Sequence, residues 1–87
     1  MSTLLLIDSQ PKAAQAFKEK LGRGDEEVLV APDFETALRL LHRHPVSLIL
    51  ADSGDPPGAA YEFYRLLKKA PRLDLIPFSL LSDYVSD

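Results

Sequence analysis

The sequence predicts an α/β protein built on an open sheet of parallel strands. The first observation is that three short apolar segments, each typical of a buried strand, alternate with three segments whose apolar residues recur at helical spacing. The second is that a fourth apolar segment follows the last helical one. The length of 87 residues suits one domain, residues 1–87, and leaves no room for a second independent one. We therefore expect a (βα)3β arrangement.

The first strand and helix are predicted from an apolar run and the periodic segment after it. Residues 3–8 are continuously apolar up to Asp8, a pattern typical of a strand that is covered on both faces of a parallel sheet. Pro11 suits the first turn of a helix, and apolar residues then recur every four positions until Gly22. This pattern predicts a strand followed by an amphipathic helix.

The second strand and helix are bounded by prolines. Residues 28–31 form a β-branched run that ends at Pro32. Asp33 can cap the next helix with its carboxylate, and apolar residues then lie along one stripe until Pro45. The segment between the two prolines is therefore predicted to be helical.

The third strand resembles the first in composition. It is predicted at residues 46–52, which again end at an acid, Asp52. Residues 53–58 are rich in Gly, Pro and Asp, which predicts a loop. A third helical stripe covers residues 59–70, and a fourth strand is predicted at residues 76–82. Parallel strands connected by helices imply right-handed crossovers.

Polar side chains at the carboxyl ends of the strands are the candidate site residues. In open α/β sheets ligands bind at that edge, and Asp8, Asp52 and Ser82 each end a predicted strand. Two carboxylates on neighbouring strands can hold one divalent cation. The alternative is that each acid only caps the helix that follows it. The residues alone leave both interpretations open.

Composition excludes several classes of function. Thirteen acidic and ten basic residues give a net charge of −3, and the sequence has no basic patch typical of direct nucleic-acid binding. The absence of cysteine excludes disulfides and thiolate sites. The apolar runs are far shorter than the ~20 residues that cross a bilayer, and no secretory signal is evident, so we expect a cytoplasmic protein without a membrane partner. No glycine-rich phosphate loop or nucleophile elbow supports an enzyme, so we expect none.

The ordered motifs resemble the receiver domain of bacterial response regulators, and the resemblance covers most of the chain. Residues 5–9 resemble the acidic first-strand motif of that family, and residues 48–52 resemble the strand that bears its phosphoacceptor aspartate. Pro56 follows Asp52 by four residues, as in the family loop. Residues 76–82 resemble the strand that ends in the family's switch Ser or Thr.

The resemblance implies a flavodoxin-like fold with strand order 2-1-3-4 and a role in two-component signal transduction. It implies that Asp52 is the phosphoacceptor, with a histidine kinase as the phosphoryl donor. It further implies that Asp8, Asp52 and the backbone carbonyl of Gly54 bind Mg²⁺. The hydroxyl of Ser82 would then contact a phosphoryl oxygen.

Departures from the family pattern imply an incomplete phosphoacceptor pocket. Ser9 occupies the position of a second acid, which predicts a weak Mg²⁺ site. Ala59-Ala60 replaces the usual acid-glycine turn. The family's fifth strand, which carries an essential lysine, and its last two helices have no counterpart here. No lysine of this sequence is assigned that role, since Lys68 and Lys69 belong to the predicted third helix.

The missing elements lead to a packing prediction. With order 2-1-3-4, the first helix alone covers one face of four strands, and the fourth strand forms an apolar edge. We therefore expect a homodimer, strand exchange or a partner segment, either in a fragment of a longer regulator or in a shortened receiver. The side chains expected to be uncovered are those of Leu4, Leu6, Leu48 and Leu50 or their neighbours.

Three functional interpretations follow from the sequence. The leading one is a receiver-like signalling module that acts through protein–protein interaction or dimerisation, with an incomplete pocket. The second is a receiver domain phosphorylated on Asp52 by a histidine kinase. The third is an unrelated small βα protein whose strand-end acids are only helix caps.

Overall fold

The computed structural model describes residues 2–21, 24, 26–52 and 58–81, which form one parallel sheet with helices on both faces. The strand order is β2-β1-β3-β4, and each neighbouring pair is parallel. The predicted fold class and strand order are therefore confirmed. The elements follow in the order β1 (Thr3–Ile7), α1 (Pro11–Leu21), β2 (Glu27–Ala31), α2 (Phe34–Arg43), β3 (Leu48–Ala51), α3 (Ala59–Lys68), a short 3₁₀ helix (Leu73–Leu75) and β4 (Phe78–Leu80).

The helix α2 begins and ends where its capping residues predict. The N–H of Thr36 donates to Oδ1 of Asp33 at 2.7 Å, so the predicted N-cap is confirmed. At the other end, the N–H of His44 donates to the carbonyl of Leu40. Pro45 follows and cannot continue the helical hydrogen bonds.

The largest differences from the predicted elements are near the fourth strand. It covers Phe78–Leu80 instead of residues 76–82, because the unpredicted 3₁₀ helix precedes it. The N–H of Ile76 donates to the carbonyl of Leu73 and closes that turn. Pro77 has no N–H to donate, so regular pairing starts after it.

The sheet buries apolar side chains on both faces. On one face, Leu5, Ile7 and Ile49 pack against side chains of α2 and α3 such as Leu41 and Phe63. The other face forms a smaller cluster with α1, in which the members are Leu6, Ala14, Val28, Leu50 and Leu81, with Leu4, Phe17, Val30 and Leu48 packed around them.

The expectation of an uncovered face beside α1 is wrong for its central residues. Leu6 and Leu50 are both 0% exposed, and Leu4 and Leu48 are partly buried. The small side chain of Ala14 belongs to this cluster, and a helix can approach a sheet closely at an alanine. Phe17 and Leu81 pack on the same cluster, so α1 needs no further helix to cover Leu6 and Leu50.

The fourth strand is less exposed than predicted. Phe78 and Leu80 are partly buried against the cluster of α2 and α3, and Leu81, expected at an exposed edge, is 6% exposed. Among the described strands β4 pairs only with β3, so its outer backbone edge is open there, as expected. None of the described helices is long and apolar enough to span a membrane.

Candidate functional site

An acidic cavity lies at the carboxyl ends of the strands. Its volume is about 240 Å³, and three aspartates line it: Asp8 after β1, Asp33 after β2 and Asp52 after β3. Its remaining walls are formed by Ile7, Ser9, Pro32 and Phe34. The cavity thus brings together Asp8 and Asp52, the two strand-end acids that the sequence singled out.

Backbone pairing brings Asp8 and Asp52 to the same edge. β1 and β3 are neighbours, and Ile7 is paired with Ala51. The N–H of Asp52 donates to the carbonyl of Ile7 at 2.9 Å, and the N–H of Asp8 donates to the carbonyl of Ala31 at 3.0 Å. Both aspartates are therefore positioned by hydrogen bonds that continue the sheet by one residue.

Asp8 is the buried acid of this cavity. It is 6% exposed, and no other polar or charged residue in the described ranges is buried. Its Oδ1 accepts a hydrogen bond from the N–H of Gln10 at 2.9 Å, which forms an Asx turn leading into α1. Asp8 therefore has a structural role as well as a place in the cavity.

Asp33 is a cavity residue that the sequence reasoning treated only as a helix cap. Hydrogen bonds from Thr36, first through its side chain and then through its backbone, lower the pKa of the Asp33 carboxyl below its usual value. The cap is therefore ionised at neutral pH. The expected strand order could have predicted this position of Asp33. β2 lies beside β1, so the residues that follow β2 must reach the same edge of the sheet as Asp8.

Two predicted site residues lie outside the described residues. Gly54, the implied backbone metal ligand, and Ser82, the implied hydroxyl partner of a phosphoryl group, belong to residues 53–57 and 82–87. Their assignments stay predictions. The described part of the candidate site therefore consists of the three aspartates, Ser9 and the apolar walls.

The acidic cavity contains carboxylates, which are the ligand type that Mg²⁺ prefers in proteins. Mg²⁺ in proteins is commonly bound by one or two carboxylates, with waters or phosphate oxygens completing six ligands. Asp8, Asp33 and Asp52 carry such carboxylates, but Oδ1 of Asp8 and Oδ1 of Asp33 each already accept a backbone hydrogen bond, and Ser9 offers only a hydroxyl. In the described ranges no group of three or more His, Cys, Asp or Glu side chains is arranged to hold a metal ion. The described residues of the cavity therefore offer few ligands for a metal ion.

No described lysine lines the acidic cavity. Lys18 of α1 shares with Asp8 and Ser9 a second cavity of about 270 Å³ on the α1 side of the sheet. Lys68 of α3 lies over the ring of Tyr64 at 5.2 Å and donates to the carbonyl of Asp74. The sequence expectation that Lys68 is on the wrong element for the phosphoacceptor site agrees with these contacts.

Solved structures show the same fold. The N-terminal domain of a response regulator receiver protein from Methanoculleus marisnigri JR1 matches with a TM-score of 0.83 and 28% identity, over 92% of this chain and 65% of that one. The chemotaxis response regulator CheY4 of Vibrio cholerae matches with a TM-score of 0.82 and 21% identity, over 92% of this chain and 67% of that one.

A third neighbour is a response regulator receiver domain protein from Clostridium thermocellum. It matches with a TM-score of 0.80 and 21% identity, over 92% of this chain and 64% of that one. No protein-family model matches the sequence, and no curated protein matches it either.

The fold and the acidic edge define a flavodoxin-like α/β protein. Within that class, the order of elements and the structural neighbours show that the chain has the receiver-domain fold of response regulators. The chain spans about 65% of the length of the neighbour from Methanoculleus marisnigri. The resemblance stated from the sequence is thereby confirmed.

Proposed function

We propose that this chain is a signal-transduction module of the receiver class that acts by pairing with a second copy of itself along β4. We also propose that its acidic cavity is too incomplete for efficient phosphotransfer. The module would be cytoplasmic and would have no catalytic turnover of its own. The observation on which the proposal rests is that β4 pairs with β3 alone among the described strands, so that its other backbone edge is open there.

The edge of β4 presents hydrogen-bonding groups to an added strand. The N–H of Ile49 donates to the carbonyl of Pro77 at 2.9 Å, so that carbonyl faces β3. The N–H and C=O groups of successive strand residues point to opposite sides of the strand. Those of Phe78 and Leu80 therefore point away from β3. The carbonyl of Leu80 also accepts from the hydroxyl of Ser79 at 3.3 Å, and a carbonyl can accept a second bond.

The spacing of these groups suits pairing with an identical strand. In an antiparallel pair centred on Ser79, Phe78 of one copy lies opposite Leu80 of the other, and each such pair exchanges both backbone hydrogen bonds. The arrangement is two-fold symmetric, as in most homodimers. It would join two four-stranded sheets into one continuous sheet, which removes the open edge.

An apolar groove beside the edge would be covered by the same contact. The groove has a volume of about 230 Å³ and runs between α3 and β4. Tyr61 at its rim is 63% exposed, so its ring offers apolar surface to a partner. Pairing of a second sheet would bury part of this surface and add to the backbone hydrogen bonds. Its lining residues are Gly58, Ala60, Tyr61, Tyr64, Phe78 and Leu80.

Ser79→Lys is expected to weaken the dimer and leave the monomer folded. Ser79 pairs with Leu50 on the α1 side of the sheet and is half-buried. At the centre of the two-fold pair it would meet itself, so the variant places two like charges directly opposite each other. We expect dimer dissociation to become easier by about tenfold or more. Sedimentation equilibrium over a range of concentrations would measure this effect.

Ser79→Thr is the matched control for the dimer prediction. It keeps a hydroxyl, adds no charge and suits a strand, so the dimer should persist. Circular dichroism of both variants would report whether the fold is kept. A wild-type protein that stays monomeric throughout the concentration range, or a folded Ser79→Lys protein that dimerises like the wild type, would contradict the proposal.

A second candidate function is phosphoryl acceptance by Asp52. The observation in its favour is that Asp52 shares one cavity with Asp8 at the carboxyl edge of neighbouring strands. A carboxylate oxygen of Asp52 would attack phosphorus in line, forming an acyl phosphate while the bond from phosphorus to the donor's leaving atom breaks. Asp8 and Asp52 would hold Mg²⁺, which supplies positive charge to the phosphoryl oxygens. The donor in the cell would be a histidine kinase.

Intact-mass measurement distinguishes the two candidates. After incubation with Mg²⁺ and acetyl phosphate, the wild-type chain is expected to gain no phosphoryl group, because its pocket has Ser9 in place of an acid and no described lysine. Ser9→Asp adds a carboxylate beside Asp8 and is expected to tighten Mg²⁺ binding by about tenfold in a titration. A phosphoryl group on the wild type that is missing from Asp52→Asn would establish the second candidate.

A further inference from the structure

A basic cavity lies at the end of the domain opposite to the aspartates. Its volume is about 390 Å³. Three of its basic residues, His42, Arg43 and His44, are at the end of α2, and the fourth, Arg72, precedes the 3₁₀ helix. Its other walls are formed by the apolar residues Leu41, Pro45, Val46, Leu73 and Ile76.

The cavity concentrates positive charge in a chain that is acidic overall. The net charge of the protein is −3, yet none of the described carboxylates lines this cavity. Within the described residues, the ion pairs are Arg39 with Glu35 and Arg65 with Glu62, so neither Arg43 nor Arg72 has a salt-bridge partner there. Neighbouring like charges repel, and a bound anion relieves that repulsion.

Helix stabilisation accounts for only part of this cluster. A cationic side chain in the last turn of a helix interacts favourably with its dipole, which explains Arg43. Arg72 belongs to another element and has a φ of 72°, a left-handed conformation that glycine adopts without steric cost. It is the only residue other than glycine with a positive φ in the described ranges. A guanidinium therefore lies at a position where the backbone favours glycine.

We propose that this cavity binds a small phosphate monoester with an apolar body. Guanidinium groups bind phosphate oxygens through paired N–H donors, and Arg43 and Arg72 reach the cavity from two different elements. The apolar part of the ligand would pack on Pro45, which is exposed, and on Ile76, which is half-buried. The volume is within the range of pockets for small ligands. The site is separate from the acidic cavity, since none of the described residues lines both.

Titration with phenyl phosphate, followed by NMR chemical shifts, tests the proposal. Saturable shifts are expected at residues 41–46 and 72–76, and phenol, which lacks the phosphate, should not produce them. Arg72→Gly is expected to raise the dissociation constant by about tenfold or more without lowering the unfolding temperature, because glycine suits the positive φ. Arg43→Gln, on an exposed helix end, should weaken binding similarly and provides a second variant.

Lys69→Ala is the matched control, since Lys69 is an exposed basic residue of the neighbouring segment that does not line the cavity. It removes the same charge and should leave the dissociation constant within about twofold of the wild type. Equal weakening by Lys69→Ala and Arg72→Gly would mean nonspecific attraction and would overturn the proposal. Absence of saturation, or equal binding of phenol, would also overturn it.

Discussion

Replacing Phe63 by alanine is expected to lower the free energy of unfolding of this protein sharply. Phe63 is 3% exposed, and its ring centroid lies 4.9 Å from that of Phe34 and 6.4 Å from that of Phe78. Removing a buried phenyl ring costs about 3–5 kcal/mol. A domain of this size is stabilised by only about 5–15 kcal/mol in total. The ring also connects α2, α3 and β4, so its loss would weaken three elements together.

Urea unfolding followed by circular dichroism would measure this loss. Leu66→Ala is the matched control, because Leu66 is on the same helix and is 60% exposed. The free energy of unfolding of Leu66→Ala should lie within about 0.5 kcal/mol of the wild-type value. Phe63→Leu should fall between the two, since it keeps most of the buried volume. Equal destabilisation by Phe63→Ala and Leu66→Ala would contradict the aromatic packing described for α3.

The helices were predictable from local signals. Pro11, Asp33 and Pro45 act within one or two turns of their own position, and α1 and α2 lie between the bounds that these residues predict. The ends of the strands depend on pairing across the sheet, which the sequence does not encode locally. The fourth strand was therefore predicted too long, since the N–H of Ile76 closes a turn with Leu73 and pairing with β3 starts only at Phe78.

The candidate site was predictable to the extent that it lies at strand ends. Asp8 and Asp52 terminate continuous apolar runs, and the sheet places them in one cavity. Asp33 was missed because its capping role explained it fully from local sequence. Its place in the cavity depends on β2 lying next to β1, a tertiary feature. The implied roles of Gly54 and Ser82 stay predictions, since both lie outside the described residues.

Burial on the α1 side was the main packing error, and it came from comparing the width of one helix with that of four strands. That comparison ignores the size of the side chains at the contact. Ala14 allows α1 to lie close to the sheet, and Leu81 packs on the same cluster from the end of β4. The centre of the cluster is consequently as well buried as the larger core on the other face.

Leu50→Ala distinguishes a covered α1 face from an uncovered one. Leu50 is 0% exposed and is paired with Leu6 on β1 and with Ser79 on β4. If the face is covered, Leu50→Ala leaves a cavity that the neighbouring side chains cannot fully fill. The free energy of unfolding should then fall by about 2–5 kcal/mol. On an uncovered face water would fill the space. The free energy of unfolding would then change by no more than for a surface substitution.

The comparison is made by urea unfolding against Leu75→Ala, since Leu75 is 80% exposed and the chemical change is the same. We expect Leu75→Ala to change the unfolding free energy by less than about 0.5 kcal/mol. The measurement should be repeated with Ser79→Lys as the background, at a concentration where that variant is monomeric. If Leu50→Ala lowers the free energy of unfolding strongly in that background, α1 and Leu81 cover this face of the sheet within one copy. If Leu50→Ala no longer lowers the free energy of unfolding in that background, the second copy covers this face.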